Sequence, residues 1–403
     1  MMDRNSAEDD QKKQLESRFG VQVHTTGGEH TFTFIAGGQE HTVDRTAATA
    51  DGLRQAALDL QNTANDKIRF LERRYKVSFA NPGEDAAKVR VTTADCQSVD
   101  GDMAHAVQPT LPQLFAVEEA LKRSRPSQLT ADGKQGVKIY FVDQSLIQMG
   151  PFGAPVKGLY KEHDKDGRPA IYMMPGAAEL PPTPRDAGAT PVSSLQWGIE
   201  HELSHNSQKN SWGKIHDVPD DFARRLGWYV SVAGLFPDGS KMMVRTLAGK
   251  DGKSYMFDGS DCHNPDWLLA DRQGSVLGAD GKPLLVDPTR TLRSQELHFT
   301  KEQVREQAKI KPISSYFVNP TEMSAESITA FRAGRASRAR LLQENPDLYR
   351  EISKYDEREL AKFYGVDARG RTKYLRTPEG FVVGREPATE HSVRSFEREN
   401  RFK

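Results

Sequence analysis

The chain has 403 residues, 36% of them hydrophobic, and balances 56 basic side chains against 56 acidic ones. That length predicts two or three compact units, and the even charge offers no bulk attraction to nucleic acid or to an anionic membrane. Cys96 and Cys262 are too few and too far apart for a disulfide framework or a cysteine metal site.

No apolar run approaches the ~18 residues of a membrane span. The acidic start, "MMDRNSAEDDQKKQLESRFG", has no stretch that could serve as a secretory signal. A cytoplasmic protein is the expectation, with export by a signal-less route left open.

"LESRFGVQV" at 15–23 and "LERRYKVSF" at 71–79 share the pattern Leu-Glu-x-Arg-aromatic-x-Val, each a charged helix running into a short strand. "HTFTFIAGGQEHTV" alternates about Gly37-Gly38 like a hairpin. Residues 47–74, with Leu53, Ala57, Leu60, Ala64 and Ile68 at helical spacing, predict one long amphipathic helix. Residues 1–100 are thus expected to form a small α+β unit, its nine-residue echo either a duplication or a coincidence. Residues 81–112 read as loop and boundary.

A helix is expected at 113–123 and a strand in "GVKIYFVD" at 136–143. "GLYKEHDKDGRPAIYMMPG" predicts two strands joined by a polar turn at 164–169, followed by the Pro-rich loop "ELPPTPRDAGATP". After the central helix described next, 220–233 continues helical. Residues 235–290 read as a β-rich insertion, with turns at "PDGSK", "GKDGKS" and "GADGK". Helices return at 300–309, 320–343 and 346–364, and 366–403 is a polar tail. The expected fold class is α+β, with a main domain over 105–345 and a C-terminal helix and tail over 346–403.

The helix preceding residue 220 carries "IEHELSHNSQ". Ser193 and Gln196 fit a capping box at its start, and Leu195, Ile199 and Leu203 form its buried stripe. His201 and His205 are four apart, so their rings leave one face a turn from each other. Two imidazoles so placed can reach one zinc ion, while Glu202, rotated by about 100°, can miss the metal yet reach a water beside it. With 11 histidines in the chain, a chance H-E-x-x-H arises at roughly the one-percent level. The competing reading is a solvated helix whose histidines face water.

A third donor is needed. His216 and Asp217 are nearest in sequence, but the better candidate is "SSYFVNPTEMSAESITAFR" at 314–332. Asn319 and Pro320 mark a helix start, and Glu322 and Glu326 follow four apart on one face. Glu322 also sits where a capping-box glutamate would, so capping and metal binding are both open for it.

"HELSH" followed by "SYFVNPTEMSAE" resembles the catalytic domain of anthrax lethal factor and its relatives, gluzincin zinc metallopeptidases. The resemblance spans roughly 110–345, its specific motifs two short stretches. It implies a zincin-like fold with Zn2+ held by His201, His205 and Glu322, and Glu202 as general base. It further implies Tyr316 as hydroxyl donor to the oxyanion and Glu326 orienting a ligand from behind. The strand "AIYMMPG" becomes the edge along which a peptide or protein substrate lies. The chain departs from that pattern in a longer His205–Glu322 gap, a tyrosine one residue closer to the glutamate, and Met323 and Ser324 where aromatics are usual.

The sequence reading is therefore a zinc metallopeptidase whose insertion at 235–290 borders the cleft. The alternative is a zincin-fold binding or effector scaffold without turnover. Cys262 and His263 in "DCHNPDW" read as a turn, because no second pair completes a site. His163 and Asp164 read as a solvated turn and Trp197 as packing. "RAGRASRAR" at 332–340 reads as a solvated basic face paired with acids rather than a nucleic-acid surface.

Overall fold

The structure, a computed structural model, describes residues 4–36, 38–93, 97–131, 135–148, 157–177, 193–213, 218–235, 241–258, 266–270, 298–314, 316–364, 375–376 and 382–383. It is a mixed α+β fold with several small sheets. Helix α1 (Arg4–Phe19) leads into the antiparallel meander β1 (Gln22–Thr26), β2 (Glu29–Ala36) and β3 (Gln39–Ala47), and the 26-residue α2 (Ala50–Tyr75) follows, capped by Thr49.

The echoed stretches share one local structure. Each helix ends on a residue in the left-handed region, Gly20 (φ 68°) and Lys76 (φ 61°), whose N–H donates to the glutamate carbonyl four back. In each, that glutamate's side chain then accepts from a backbone N–H seven residues on: Glu16 from Val23 at 3.1 Å, Glu72 from Phe79 at 3.0 Å. Leu15 and Leu71, Phe19 and Tyr75, Val21 and Val77 are buried in pairs. The repeated residues therefore build one helix-exit motif, used twice. The sheets that follow differ, a meander in the first case and a sheet edge in the second.

That second exit enters β4 (Ser78–Phe79), and β5 (Asp85–Thr92) and β6 (Ser98–His105) then form an antiparallel hairpin. The loop expected over 81–112 is largely this hairpin. Irregularities between Asp85 and Ala87 and between Lys88 and Arg90 break the two-residue alternation by which a strand is recognised. The capping box of Thr110 and Gln113 starts α3 (Leu111–Arg123), which runs on to the short α4 (Pro126–Leu129). A small hairpin, β7 (Thr130–Ala131) with β8 (Gln135–Gly136), precedes β9 (Lys138–Phe141), and β10 (Ile147–Gln148) pairs with β5.

The sheet that positions the site adds β11 (Gly158–Lys161) and β12 (Ala170–Met173) in the order β11-β12-β9-β4. β12 is parallel to β9 and β11 antiparallel to β12. Every residue of β9 and β12 is buried, as expected of strands covered on both faces. Ile139, Phe141, Tyr160, Ile171 and Met173 face a core shared with α2, α3 and the stripe Leu195, Ile199 and Leu203. Tyr140, Tyr172 and Leu159 face the β5–β6 hairpin. The expectation that "AIYMMPG" is the edge strand is corrected here. β12 is flanked on both sides, and among the described residues the edge belongs to its antiparallel partner β11.

The central helix is α5 (Ser194–Trp212), followed by α6 (Asp220–Arg225). Helix does not continue to 233. Gly227, at φ 87°, turns the chain into β13 (Trp228–Leu235). β13 opens a five-stranded antiparallel sheet with β14 (Lys241–Ala248), β15 (Ser254–Asp258), β16 (Asp266–Ala270) and β17 (His298–Phe299). The β-rich segment is thus present and starts earlier than expected; "GADGK" and the strand expected in "PLLVD" lie outside the described residues. α7 (Lys301–Gln307), α8 (Pro320–Arg332), α9 (Arg335–Glu344) and α10 (Pro346–Tyr364) then build a second core around Trp228, Met323, Ile328, Leu341 and Ile352. Beyond it, β18 (Leu375–Arg376) pairs with β19 (Val382–Val383).

"RAGRASRAR" is only in part the solvated face expected: Arg340 pairs with Glu344 at 2.6 Å as such a face would. Arg332 and Arg338 are buried, the first donating to Asp356 at 2.8 Å and the second to the Phe331 carbonyl at 2.7 Å. Among the described residues no helix is long and apolar enough to cross a membrane.

Candidate metal centre

Ser193 starts α5 by accepting the backbone N–H of Gln196 at 3.1 Å. The reciprocal half of a capping box is not made, because the Gln196 amide donates instead to Glu200 at 2.7 Å. The helix lies on the central sheet, with Tyr160 donating its hydroxyl to Asn206 at 2.9 Å. His201 and His205 are each 6% exposed and Glu202 8%, so none of the three stands on a solvated face.

Helix α8 supplies the other half. Asn319 caps it by accepting the Glu322 N–H at 2.9 Å. The Glu322 carboxylate does not turn back to the cap. It faces α5, with Oε2 3.1 Å from His201 Nε2 and 3.3 Å from His205 Nε2. The backbone of Glu322 thus serves the cap while its side chain serves the site.

The two Nε2 atoms are themselves 3.2 Å apart. Three donor atoms separated by 3.1, 3.2 and 3.3 Å form a nearly equilateral triangle. Ligands about 2.0–2.1 Å from a tetrahedral zinc are separated by about 3.3 Å, so this donor set fits that ion. Among the described residues, these three form the group whose donor atoms converge closely enough to hold a metal.

Both rings are oriented from behind. His201 Nδ1 donates to Glu326 Oε1 at 2.8 Å, and Trp197 Nε1 donates to the same oxygen at 3.1 Å. His205 Nδ1 donates to Gln208 Oε1 at 2.9 Å, while the Gln208 amide nitrogen donates to the Thr321 carbonyl (3.0 Å) and Ser324 Oγ (2.7 Å). Acceptors on both Nδ1 atoms leave each Nε2 lone pair to face the triangle's centre.

Electrostatics of the metal-free triad follow from this packing. Burial opposes a charge on His201, yet hydrogen bonds to Glu322 and Glu326 carry it well above its ordinary value. Burial likewise opposes charge on His205, and the Glu322 charge and hydrogen bond raise it. Glu322 is held far below the usual carboxylate range by the same pair, against its burial. Burial raises Glu202, partly offset by the two histidines. Burial, then the charge of Glu322, keep the Tyr316 phenol protonated, a hydrogen-bond donor.

Tyr316 is half-exposed, its ring centroid 5.7 Å from that of His201. Of the residues singled out in the sequence, His201, Glu202, His205, Tyr316, Glu322 and Glu326 thus come together, and Trp197 packs beneath them. His163 is exposed, and Asp164 accepts from the Asp166 and Arg168 backbone in its turn. His216, Asp217, Cys262 and His263 lie outside the described residues. Gln208 and Gly158 were not anticipated. Gln208 had a signal, since it follows His205 by three on the same helical face; Gly158 meets the site only through the fold. Comparison with known proteins found no matching family model, curated protein or solved structure.

Proposed function

We propose that this chain is a zinc-dependent peptidase of zincin-like fold, as its resemblance to the lethal factor catalytic domain implies. The observation that supports the reading best is the triangle of His201, His205 and Glu322 donors beside Glu202, a carboxylate with no hydrogen-bond partner among the described residues, at a sheet edge that no described strand covers. His201, His205 and Glu322 would hold the ion, with Glu326 and Gln208 fixing the rings. When bound, zinc supplies a Lewis acid that acidifies water and polarises a carbonyl.

The chain's own groups do the rest. Glu202 is raised by burial toward the range where a carboxylate can take a proton from the attacking water and return it to the leaving amine. Tyr316, kept protonated and half-exposed, donates its hydroxyl to the oxygen on which charge develops.

Substrate is a peptide in extended conformation. The N–H of Met174 donates to the Lys157 carbonyl at 3.0 Å, which makes 157↔174 a hydrogen-bonded antiparallel pair. Along the β11–β12 register the pairs alternate. The N–H and C=O of Gly158 and Tyr160 therefore point away from β12, to the side on which no described strand pairs. A substrate strand pairs there, on the residues whose α-carbons face α5.

The test is cleavage of a peptide library by the zinc-loaded chain and by Glu202→Gln. Cleavage that falls by about three orders of magnitude in the variant, with zinc retained, is the expected result for loss of a general base. Zinc binding with no turnover by the parent chain would instead favour the scaffold reading.

A further inference from the structure

Gly158 is the first residue of the edge strand and touches the carboxylate of Glu202. A Cβ built on it would lie 2.6 Å from Glu202 Oε1, 3.1 Å from Cγ and 3.2 Å from Cδ. Real Cβ atoms do not come that close, so any other residue here requires Glu202 to move. Backbone conformation does not demand glycine, since Gly158 is not among the residues with positive φ. A strand position would ordinarily favour a β-branched or aromatic side chain, and glycine inside a strand marks a close approach by something else. Here that something is the proposed base.

Two properties meet at this residue. Its side-chain direction is filled by the Glu202 carboxylate, and its main-chain N–H and C=O point to the side on which no described strand pairs. The Glu202 side chain has no hydrogen-bond partner among the described residues, so contact with the edge strand is the restraint on that side of it. On the opposite side of the sheet, Leu159 is packed against the β5–β6 hairpin, so β11 cannot easily back away.

We propose that Gly158 is a positioning residue for Glu202, the missing side chain letting the strand that anchors substrate stand directly against the base. The inference rests on the peptidase reading. It adds that the peptide bond cut is the one beside the substrate residue paired with Gly158, because main-chain anchor and base are held at one α-carbon.

The decisive variant is Gly158→Ala, alone and combined with Glu202→Asp, whose carboxylate is one methylene shorter. Alanine should lower kcat about a hundredfold, the order expected of a reacting group displaced by an ångström, with KM and zinc content unchanged. In the Glu202→Asp background it should add much less further loss, because the Oε1 that a Cβ would meet at 2.6 Å is gone and the nearest shared atom, Cγ, lies at 3.1 Å. A crystal structure of Gly158→Ala should show Glu202 moved by the better part of an ångström and the three donors in place.

Glu202 unmoved in that crystal structure, or an equal loss of kcat in both backgrounds, overturns the proposal. The crystallographic comparison needs no turnover. Absence of cleavage by the parent chain therefore counts against the peptidase reading, and an unmoved Glu202 counts against Gly158.

Discussion

Gln208 joins the two halves of the site through one amide, accepting from His205 and donating to the first turn of α8 that carries Glu322. Removing such a partner typically weakens a metal site by a factor of about 10–100. Gln208→Leu, similar in bulk but without the amide, should therefore bind zinc in the same ratio with affinity lower by that factor. Competition against a chromophoric chelator measures it, and unchanged affinity would mean that His205 needs no such orientation. At this scale the histidines and Glu202 were readable because helical spacing alone puts the two rings on one face and the carboxylate beside it. Glu322 was ambiguous because the third helical position suits a cap as well as a ligand, and only the facing helix shows where its carboxylate points. Gly158 was not readable at all. Its partner is 44 residues away in the chain, and a glycine that opens a strand marks a close approach without naming what approaches.

Among elements, the helices that frame the site are tied together at Asp356 on α10. Arg125, between α3 and α4, grips both its oxygens at 2.9 and 2.8 Å, and Arg332, the last residue of α8, donates at 2.8 Å. Burial opposes the Asp356 charge, yet these cations, with Arg338 nearby, hold its carboxyl far below the usual range. Asp356→Asn would take a carboxylate charge away from two buried guanidinium groups and should cost about 3–5 kcal/mol in unfolding experiments near neutral pH. A depressed carboxylate contributes its full stability above the unfolded value of about 3.9 and loses it as pH falls further. The parent chain should therefore lose stability more steeply than the variant below about pH 4. Parallel pH profiles would show that the charge is not what binds these helices. The same arginines illustrate why the basic run misled: composition reports charge, and only the fold shows that Arg332 and Arg338 turn inward. The β5–β6 hairpin escaped notice because its irregular pairing erases alternation. β13 had a usable signal, Gly227 followed by Trp-Tyr-Val, which ends a helix and starts a strand.

Across the whole molecule, one apolar core runs from α1 and the first meander through α2 and α3 to the sheet beneath α5, and a second gathers the C-terminal helices around Trp228. The site stands where they meet, with α5 contributing Ile199 and Leu203 to the first core and Trp197 to the second. The α+β class and most elements were readable from periodicity and caps. What periodicity could not convey was adjacency: which strand takes the sheet edge, and that α8 returns across more than a hundred residues to face α5.

This meeting point is proposed to hold one zinc ion through His201, His205 and Glu322. Elemental analysis of the purified chain and of Glu322→Ala tests it most directly. About one zinc per chain, as for a structural or catalytic zinc site, largely lost in the variant, is the expected result. Zinc retained in full without Glu322, or absent from both proteins, would contradict it.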